Sequence, residues 1–226
     1  MRIMSGLGGT LMSLVTLSLF VFTLASCTIV PDEDKGTKKK GEIDIYFVSD
    51  DFNPDAFVQK IWEAKVVPYF NEKSQPVTDV LSVWAIDQEA AGKQFGYREK
   101  AEGSPWNFLV RGEGSIVDVN TESRASTVGV DLEPGDGKAD LVIQIGPVIK
   151  DSGIRDSLEF ISFTDFTNQL EFARLSNAFN KQVHTEVLSK LDRENLLGKD
   201  VSFIGVFTQL QGTDLVRVTP VVIKVN

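Results

Sequence analysis

One histidine, a scatter of carboxylates and a glycine-rich stretch are the residues of this 226-residue chain whose types suit chemistry. His184 is the single histidine, with Glu186 close by in sequence. One imidazole with no cysteine beside it cannot build a typical zinc site, and no serine elbow is present for a nucleophilic triad. His184 therefore reads as a helix-surface residue. Asp131, Glu133, Asp136 and Asp140 crowd one turn, and oxygen ligands of that kind suit calcium. Their spacing lacks the alternating Asp/Asn run and terminal Glu of an EF-hand, so a solvated hairpin turn is expected. Arg111-Gly112-Glu113-Gly114 has the look of a phosphate loop. Without a Gly-Lys-Ser/Thr ending and a following helix it would cradle no phosphate, and it reads as a bend in a strand. Glu113, Asp156 and Asp165 would serve a saccharide hydrolase as paired acid and base only if folding brought them together. The expectation is a chain with no catalytic residue, no metal and no cofactor.

Cys27 is the only cysteine. Arg2 gives a short positive start, Leu11 to Leu24 form an apolar stretch softened by Ser and Thr, and Leu24-Ala25-Ser26 lead into the cysteine. A charged start, a short apolar core and a small-residue exit describe an export signal, and the apolar run is shorter than the roughly 20 residues a spanning helix needs. Leu24-Ala25-Ser26-Cys27 resembles the lipobox of bacterial lipoproteins, in which the thiol takes a diacylglycerol thioether and cleavage follows before it. Further acylation, by palmitate for example, makes the anchor firm. Each buried methylene contributes about 0.8 kcal/mol, and one chain holds only marginally where two or three hold well. The competing reading is an uncleaved anchor helix. With the thiol used in this way, the folded part has no disulfide, thiolate metal site or cysteine nucleophile.

Residues 28–41 are polar, charged and without apolar periodicity, which describes a tether that cannot order itself. Lys38, Lys39 and Lys40 would each gain about 1 kcal/mol beside anionic headgroups. The formal net charge of −9 becomes more negative still when Arg2 leaves with the leader. So acidic a chain lacks the electrostatic footprint of a nucleic-acid binder, and that class is excluded.

Several elements would position these groups. Ile43, Ile45 and Phe47 alternate as a lead-in strand, and Asn53-Pro54 caps and opens a helix that Pro68 would stop. A second helix starts near Pro76 and carries Val77, Val80, Leu81, Trp84 and Gln88 on one face, ending at Gly92 or Gly96; Asp87 and Glu89 face solvent. Trp106, Phe108 and Val110 begin a strand that Gly112 and Gly114 interrupt before Ile116 and Val119 resume it. Strands near Val128–Val130 and Leu141–Ile145 flank the Glu133-Pro134-Gly135-Asp136-Gly137 turn as a hairpin. Asp165 caps the longest helix, whose stripe runs Phe172, Leu175, Phe179, Val183, Val187 and Leu191 until Gly198 closes it. Val201–Phe207 and Leu215–Ile223 form a last hairpin. The fold class is α+β: a small, curled antiparallel β-barrel of OB-like type, with a long helix and a small N-terminal helical unit. The domain reading is a signal over 1–26, the lipidated cysteine and tether over 27–41, a helical subdomain over 42–102 and the barrel with its long helix over 103–226.

Strings spread over nearly the whole mature part resemble a family of predicted periplasmic lipoproteins catalogued as a domain of unknown function. They include Pro105-Trp106-Asn107-Phe108-Leu109-Val110-Arg111-Gly112-Glu113-Gly114, Gln144-Ile145-Gly146-Pro147-Val148-Ile149, Arg155-Asp156 and Phe160 through Gln169. The resemblance implies the barrel-plus-helices fold and no assigned reaction. It also implies a setting beside sugar ABC transporters of the ribose type, whose genes often neighbour those of the family. Its shared polar residues here are Arg98, Arg111, Gln144, Arg155, Asp156, Asn168 and Gln169, candidates for contact with a ligand or partner. Each has a structural alternative: Arg155-Asp156 as a pair tying a strand end to the long helix, Asn168 and Gln169 as first-turn residues, and Arg111 leaning on Trp106 or Phe108. The implied protein is a non-enzymatic accessory or binding module in the envelope, facing the periplasm, with the membrane and transporter components as partners. An envelope saccharide hydrolase and a purely structural envelope protein are the other readings. Cys27→Ala should move the protein from the membrane fraction to the soluble one in cell fractionation; a mutant that stays membrane-bound and uncleaved has a helical anchor instead.

Overall fold

The computed structural model describes residues 52–99, 103–210 and 215–226. The lead-in strand read at Ile43 to Phe47, the tether and Cys27 lie outside them. Among the described residues no helix is long and apolar enough to cross a membrane.

Five strands close a barrel: β1 (Asn107–Asn120), β2 (Thr127–Leu132), β3 (Leu141–Gln144), β4 (Asp200–Thr208) and β5 (Arg217–Val225). They pair in the order β1-β2-β3-β5-β4, and β4 returns to β1. All pairs are antiparallel except β3–β5, which is parallel and short. Closure depends on β1, whose fourteen residues serve two partners within the barrel. Asn107 to Ser115 pair with β4, and Gly114 to Asn120 pair with β2. The glycines do not interrupt this strand, contrary to the expectation; the register slips further on, between Ile116 and Asp118. What the glycines provide is close approach. A Cβ on Gly114 would lie 2.3 Å from the Asp131 carbonyl oxygen, and one on Gly112 would lie 2.6 Å from Val77. Pro220 is tolerated in β5 because the β4–β5 register also slips there.

The helices supply two layers. Asn53 caps α1 (Pro54–Ile61) as expected, accepting a 3.1 Å bond from the Ala56 amide. Pro68 does not stop the chain. A π-helical turn over Trp62–Val66 shifts the hydrogen bonding by one residue, and α2 (Val67–Lys73) continues with Pro68 in its first turn, where no intrahelical donor is required. The helix expected from Pro76 to a glycine is two: α3 (Val77–Trp84) and α4 (Gln88–Phe95). The break is made by Asp87, which is exposed as expected and whose carboxylate also accepts from the amides of Glu89 and Ala90 as an N-cap. After β3 come a single turn, α5 (Gly153–Asp156), and the long α6 (Gln169–Glu186). Asn168, not Asp165, caps α6, by accepting from the Glu171 amide. Asp165 instead closes a capping box with Ser162 around a 3₁₀ turn. The helix ends near Glu186, and Gly198 takes its positive φ in the turn before β4.

Two apolar clusters result, and each mixes residues from before and after residue 103. Inside the barrel, Phe108 stacks on Phe207 with centroids 4.6 Å apart, and Trp84 of α3 meets both edge-on as a plug. On the outer face, Leu109, Val206 and Val221 meet Trp62, Phe70, Leu175, Phe179 and Val183. The start of β1 is thus buried on both faces, which explains an unbroken buried run over residues 107–110. Gly114→Ala should destabilise the fold by roughly 1–3 kcal/mol or more, because the Cβ meets backbone that cannot rotate away. Urea unfolding measures it, and an unchanged midpoint would show that β1 and β2 tolerate a wider crossing.

Candidate functional site

Polar residues gather at one seam between barrel and helices. Period-two alternation puts Asn107, Thr208, Gln144 and Thr219 on the outward faces of their strands, the same side as Leu109, Val206 and Val221. There the apolar outer cluster ends and a hydrogen-bonded network begins. Its hub is Asp151, in the loop between β3 and α5. Its carboxylate accepts from the Thr219 hydroxyl at 2.8 Å, the Gln144 amide at 2.5 Å and the Gly153 backbone at 3.1 Å. The Gln144 amide also reaches Thr219 at 2.7 Å, and its oxygen accepts from the Lys150 backbone. Asn180 of α6 donates to the Asp151 carbonyl at 2.8 Å. One side chain and its backbone thus join β3, β5, α5 and α6. Burial pushes the Asp151 carboxyl above the ordinary carboxylate range; the bonds from Thr219, Gly153 and Gln144 and the charge of Arg217 oppose the shift without cancelling it.

The network continues through α5. Ser152 donates to Asp156 at 2.5 Å, and the Arg155 guanidinium grips the same carboxylate at 2.6–2.7 Å. Arg155 also donates to the Phe172 carbonyl of α6 at 2.9 Å and lies 3.7 Å over the Phe172 ring. With Asn107 and Phe172, Asp156 lines a cleft of about 200 Å³ whose other polar walls are Tyr97, Glu99 and Ser104. Asn107 accepts from Thr208 at 2.7 Å and exchanges 2.8 Å backbone bonds with Tyr97. Burial, reinforced by the charges of Glu99 and Glu159, raises the Tyr97 phenol above its usual range.

The residues singled out by sequence divide into groups. Gln144, Arg155 and Asp156 meet in this seam, and Asn168 supports it by capping α6. Gln169 is exposed in the first turn of α6. Arg98 stands apart, its guanidinium 4.0 Å over Trp106 while Glu89 takes the indole N–H at 2.8 Å and Arg98 at 3.6 Å. Arg111 lies four residues along β1 from Asn107, and alternation turns it away from Phe108 rather than onto it. It donates to the Ser74 carbonyl and edges an open groove of about 620 Å³, with Glu113, Glu133 and Lys224 exposed around Phe203 and Ile204. The trio Glu113, Asp156 and Asp165 is not brought together: one edges the groove, one the cleft, and one caps a 3₁₀ turn. In the acidic turn, Asp131 accepts from the amides of Asp136 and Gly137 and Asp140 from that of Leu132, so these two carboxylates staple the hairpin. Among the described residues no group of three or more His, Cys, Asp or Glu side chains is arranged to hold a metal ion.

Asp151, Asn107, Thr208 and Thr219 were not among the sequence candidates. The turn string Asp151-Ser152-Gly153 and the polar Asn107 heading an apolar strand are the local signals that point to them.

A family model described as a predicted periplasmic lipoprotein (DUF2291) matches residues 17–224. The crystal structure of an OB-fold protein from Thermotoga maritima MSB8 is similar to this chain, with a TM-score of 0.64 and 20% identity, over 77% of this chain and 99% of that one. That likeness shows the barrel fold alone. No curated protein matches by sequence.

A carboxyl raised by burial holds its proton longer in the folded chain than in the unfolded one, so stability falls as pH rises between the two pKa values. Asp151→Asn cannot ionise. The stability of the wild type minus that of Asp151→Asn should therefore be largest at the acid end, fall as pH climbs from about 4 through the raised pKa, and stay level above it. Urea titrations along a pH series test this, and a difference that rises with pH would mean that the charged form is favoured in the fold.

Proposed function

We propose that this chain, which belongs to the predicted periplasmic lipoprotein family DUF2291, is a lipid-tethered, non-enzymatic accessory module working beside a sugar ABC transporter of the ribose type. Membership places it in the cell envelope, in association with a membrane and facing the periplasm. The remaining parts of the proposal are that residues 1–26 are removed as a signal, that Cys27 carries the acyl chains, and that residues 28–41 act as the tether. A tether raises the effective concentration of the barrel near a membrane-embedded partner without requiring a tight interface.

The observation that carries the partner reading is the groove at Arg111. Of the two arginines best suited to outside contact, Arg155 is committed to Asp156 and Phe172 and is only 12% exposed. Arg111 spends one donor on Ser74 and keeps the rest toward an open groove with a buried aromatic floor and charges of both signs. An arginine beside an apolar floor is the usual composition of an interface centre. The transporter assignment itself comes from the setting that the family resemblance implies.

Cross-linking in intact cells, with the full lipidated chain tagged at its C-terminus, is the test. Recovery of a transporter permease or sugar-binding protein by wild type is expected, with loss in Cys27→Ala and about a tenfold reduction in Arg111→Glu, equivalent to ~1.4 kcal/mol. Equal recovery from Arg111→Glu moves the contact off the groove. Recovery of no transport component from the wild type ends the accessory reading.

A further inference from the structure

We propose that the cleft between α5, α6 and the start of β1 is a binding site for a small, neutral, hydroxyl-rich molecule of monosaccharide size. This goes beyond the accessory role, which uses the groove at Arg111 and shares no lining residue with the cleft, and either can fail without the other.

Size sets the first limit. At about 200 Å³ the cleft is smaller than the ~300 Å³ at which sites for drug-sized ligands begin. It has room for one five- or six-membered ring with its substituents.

The lining sets the chemistry. Glu99 uses one carboxylate oxygen to accept from the Ser162 hydroxyl at 2.6 Å, which leaves the other open. Asp156 accepts two hydrogen bonds, from Ser152 and from Arg155 Nε, with Arg155 Nη2 in ion-pair contact with one of the same oxygens, out of the roughly four bonds its two oxygens can take. Asn107 is 3% exposed, and its amide nitrogen makes one long 3.4 Å contact to the Asp156 carbonyl, leaving an N–H for a ligand. The Tyr97 and Ser104 hydroxyls have no hydrogen-bond partner among the described residues. Acceptors therefore outnumber donors, while the Asn107 amide and the protonated Tyr97 phenol supply donors as well. Hydroxyl groups, each both donor and acceptor, match such a mixture. A ligand rich in carbonyls or phosphate does not.

Charge narrows the class further. Arg155 neutralises Asp156 in place, so the net charge on the lining is the single negative charge of Glu99. An anion is repelled, the more so because the charge of Glu159 also reaches Tyr97. Besides the neutralised Asp156, a cation meets only carboxylates that are exposed and screened by solvent. The apolar walls are Pro105, Ile161 and the ring of Phe172, which is fixed by Arg155 on one side and by Phe163 and Phe166 at 5.4 and 5.3 Å. A flat ring held this way suits the C–H face of a cyclic polyol. The walls are also set before any ligand arrives: the backbone bridge holds Tyr97, Ser162 holds Glu99, and Arg155 with Ser152 holds Asp156. Preorganisation of this kind removes ordering costs from binding.

The test uses the full lipidated protein in detergent micelles and saturation-transfer NMR, followed by calorimetry. D-ribose, D-glucose and myo-inositol are the neutral probes, putrescine the cationic one and gluconate the anionic one. Saturable binding of at least one neutral probe is expected, with affinity reduced tenfold or more in Tyr97→Phe/Glu99→Gln at an unchanged melting temperature. If that double variant melts early, Ser104→Phe, which fills the cleft without removing its buried polar groups, should abolish binding instead. Three outcomes overturn the proposal: no neutral probe binds at tens of millimolar, binding survives Ser104→Phe, or putrescine or gluconate binds in preference.

Discussion

The first four residues of β1 are buried on both faces, and the rest of the molecule is arranged around that constraint. Phe108 and Val110 face the barrel interior while Leu109 faces the helices. Because β1 also changes partners along its length, from β4 to β2, it is the strand through which the sheet becomes a closed surface. A strand with no solvent face needs a second layer outside it, and α1, the π turn and α6 are that layer. Gly114 permits β1 and β2 to approach where both pairings overlap. The apolar clusters on either side of β1 are coupled through one backbone, so disturbance of either reaches the other.

Where this double burial ends, polar groups begin, and the seam follows from that boundary. Asn107 is the last outward-facing residue before β1 leaves the sheet. A side-chain amide buried there requires partners, and the Thr208 hydroxyl and, at longer range, the Asp156 carbonyl provide them. Asp151 solves the same problem for β3 and β5. A buried carboxylate is unfavourable unless several donors converge on it, and three do. The network rigidifies the approach of α5 and α6 to the barrel. It leaves one concave place, the cleft at Asp156, where polar groups have bonding capacity to spare.

The arginines show how the same residue type diverges with place. Arg155 has a carboxylate, a carbonyl and a ring within reach and is a strut between α5 and α6. Arg98 stacks on Trp106 near the surface, where Glu89 receives both the indole and, more loosely, the guanidinium. Arg111 anchors the Ser74 carbonyl yet remains exposed above an apolar groove. The family resemblance flagged all three, and their surroundings alone separate structural from available.

The sequence by itself determined the elements whose signals are local. The Asn53-Pro54 start, the apolar stripe through Leu175, Phe179 and Val183, the hairpin turn near Gly135 and the curled-barrel class are all legible, because each rests on dihedral preference or on periodicity within a few residues. The resemblance also marked Gln144, Arg155 and Asp156, which lie in the seam. Other features waited for tertiary structure. Pro68 stops nothing because a π turn upstream absorbs its missing donor, and Asp165 lost the α6 cap to Asn168, a choice set by where the chain turns. The glycines of β1 are explained by Val77 and Asp131, distant in sequence. Asp151 could not be ranked above any other acid until Gln144, Thr219 and Asn180 were seen around it. Periodicity tells which face of an element is buried; only the fold tells which polar groups share that burial, since their partners can be 101 residues away, as Asn107 and Thr208 are.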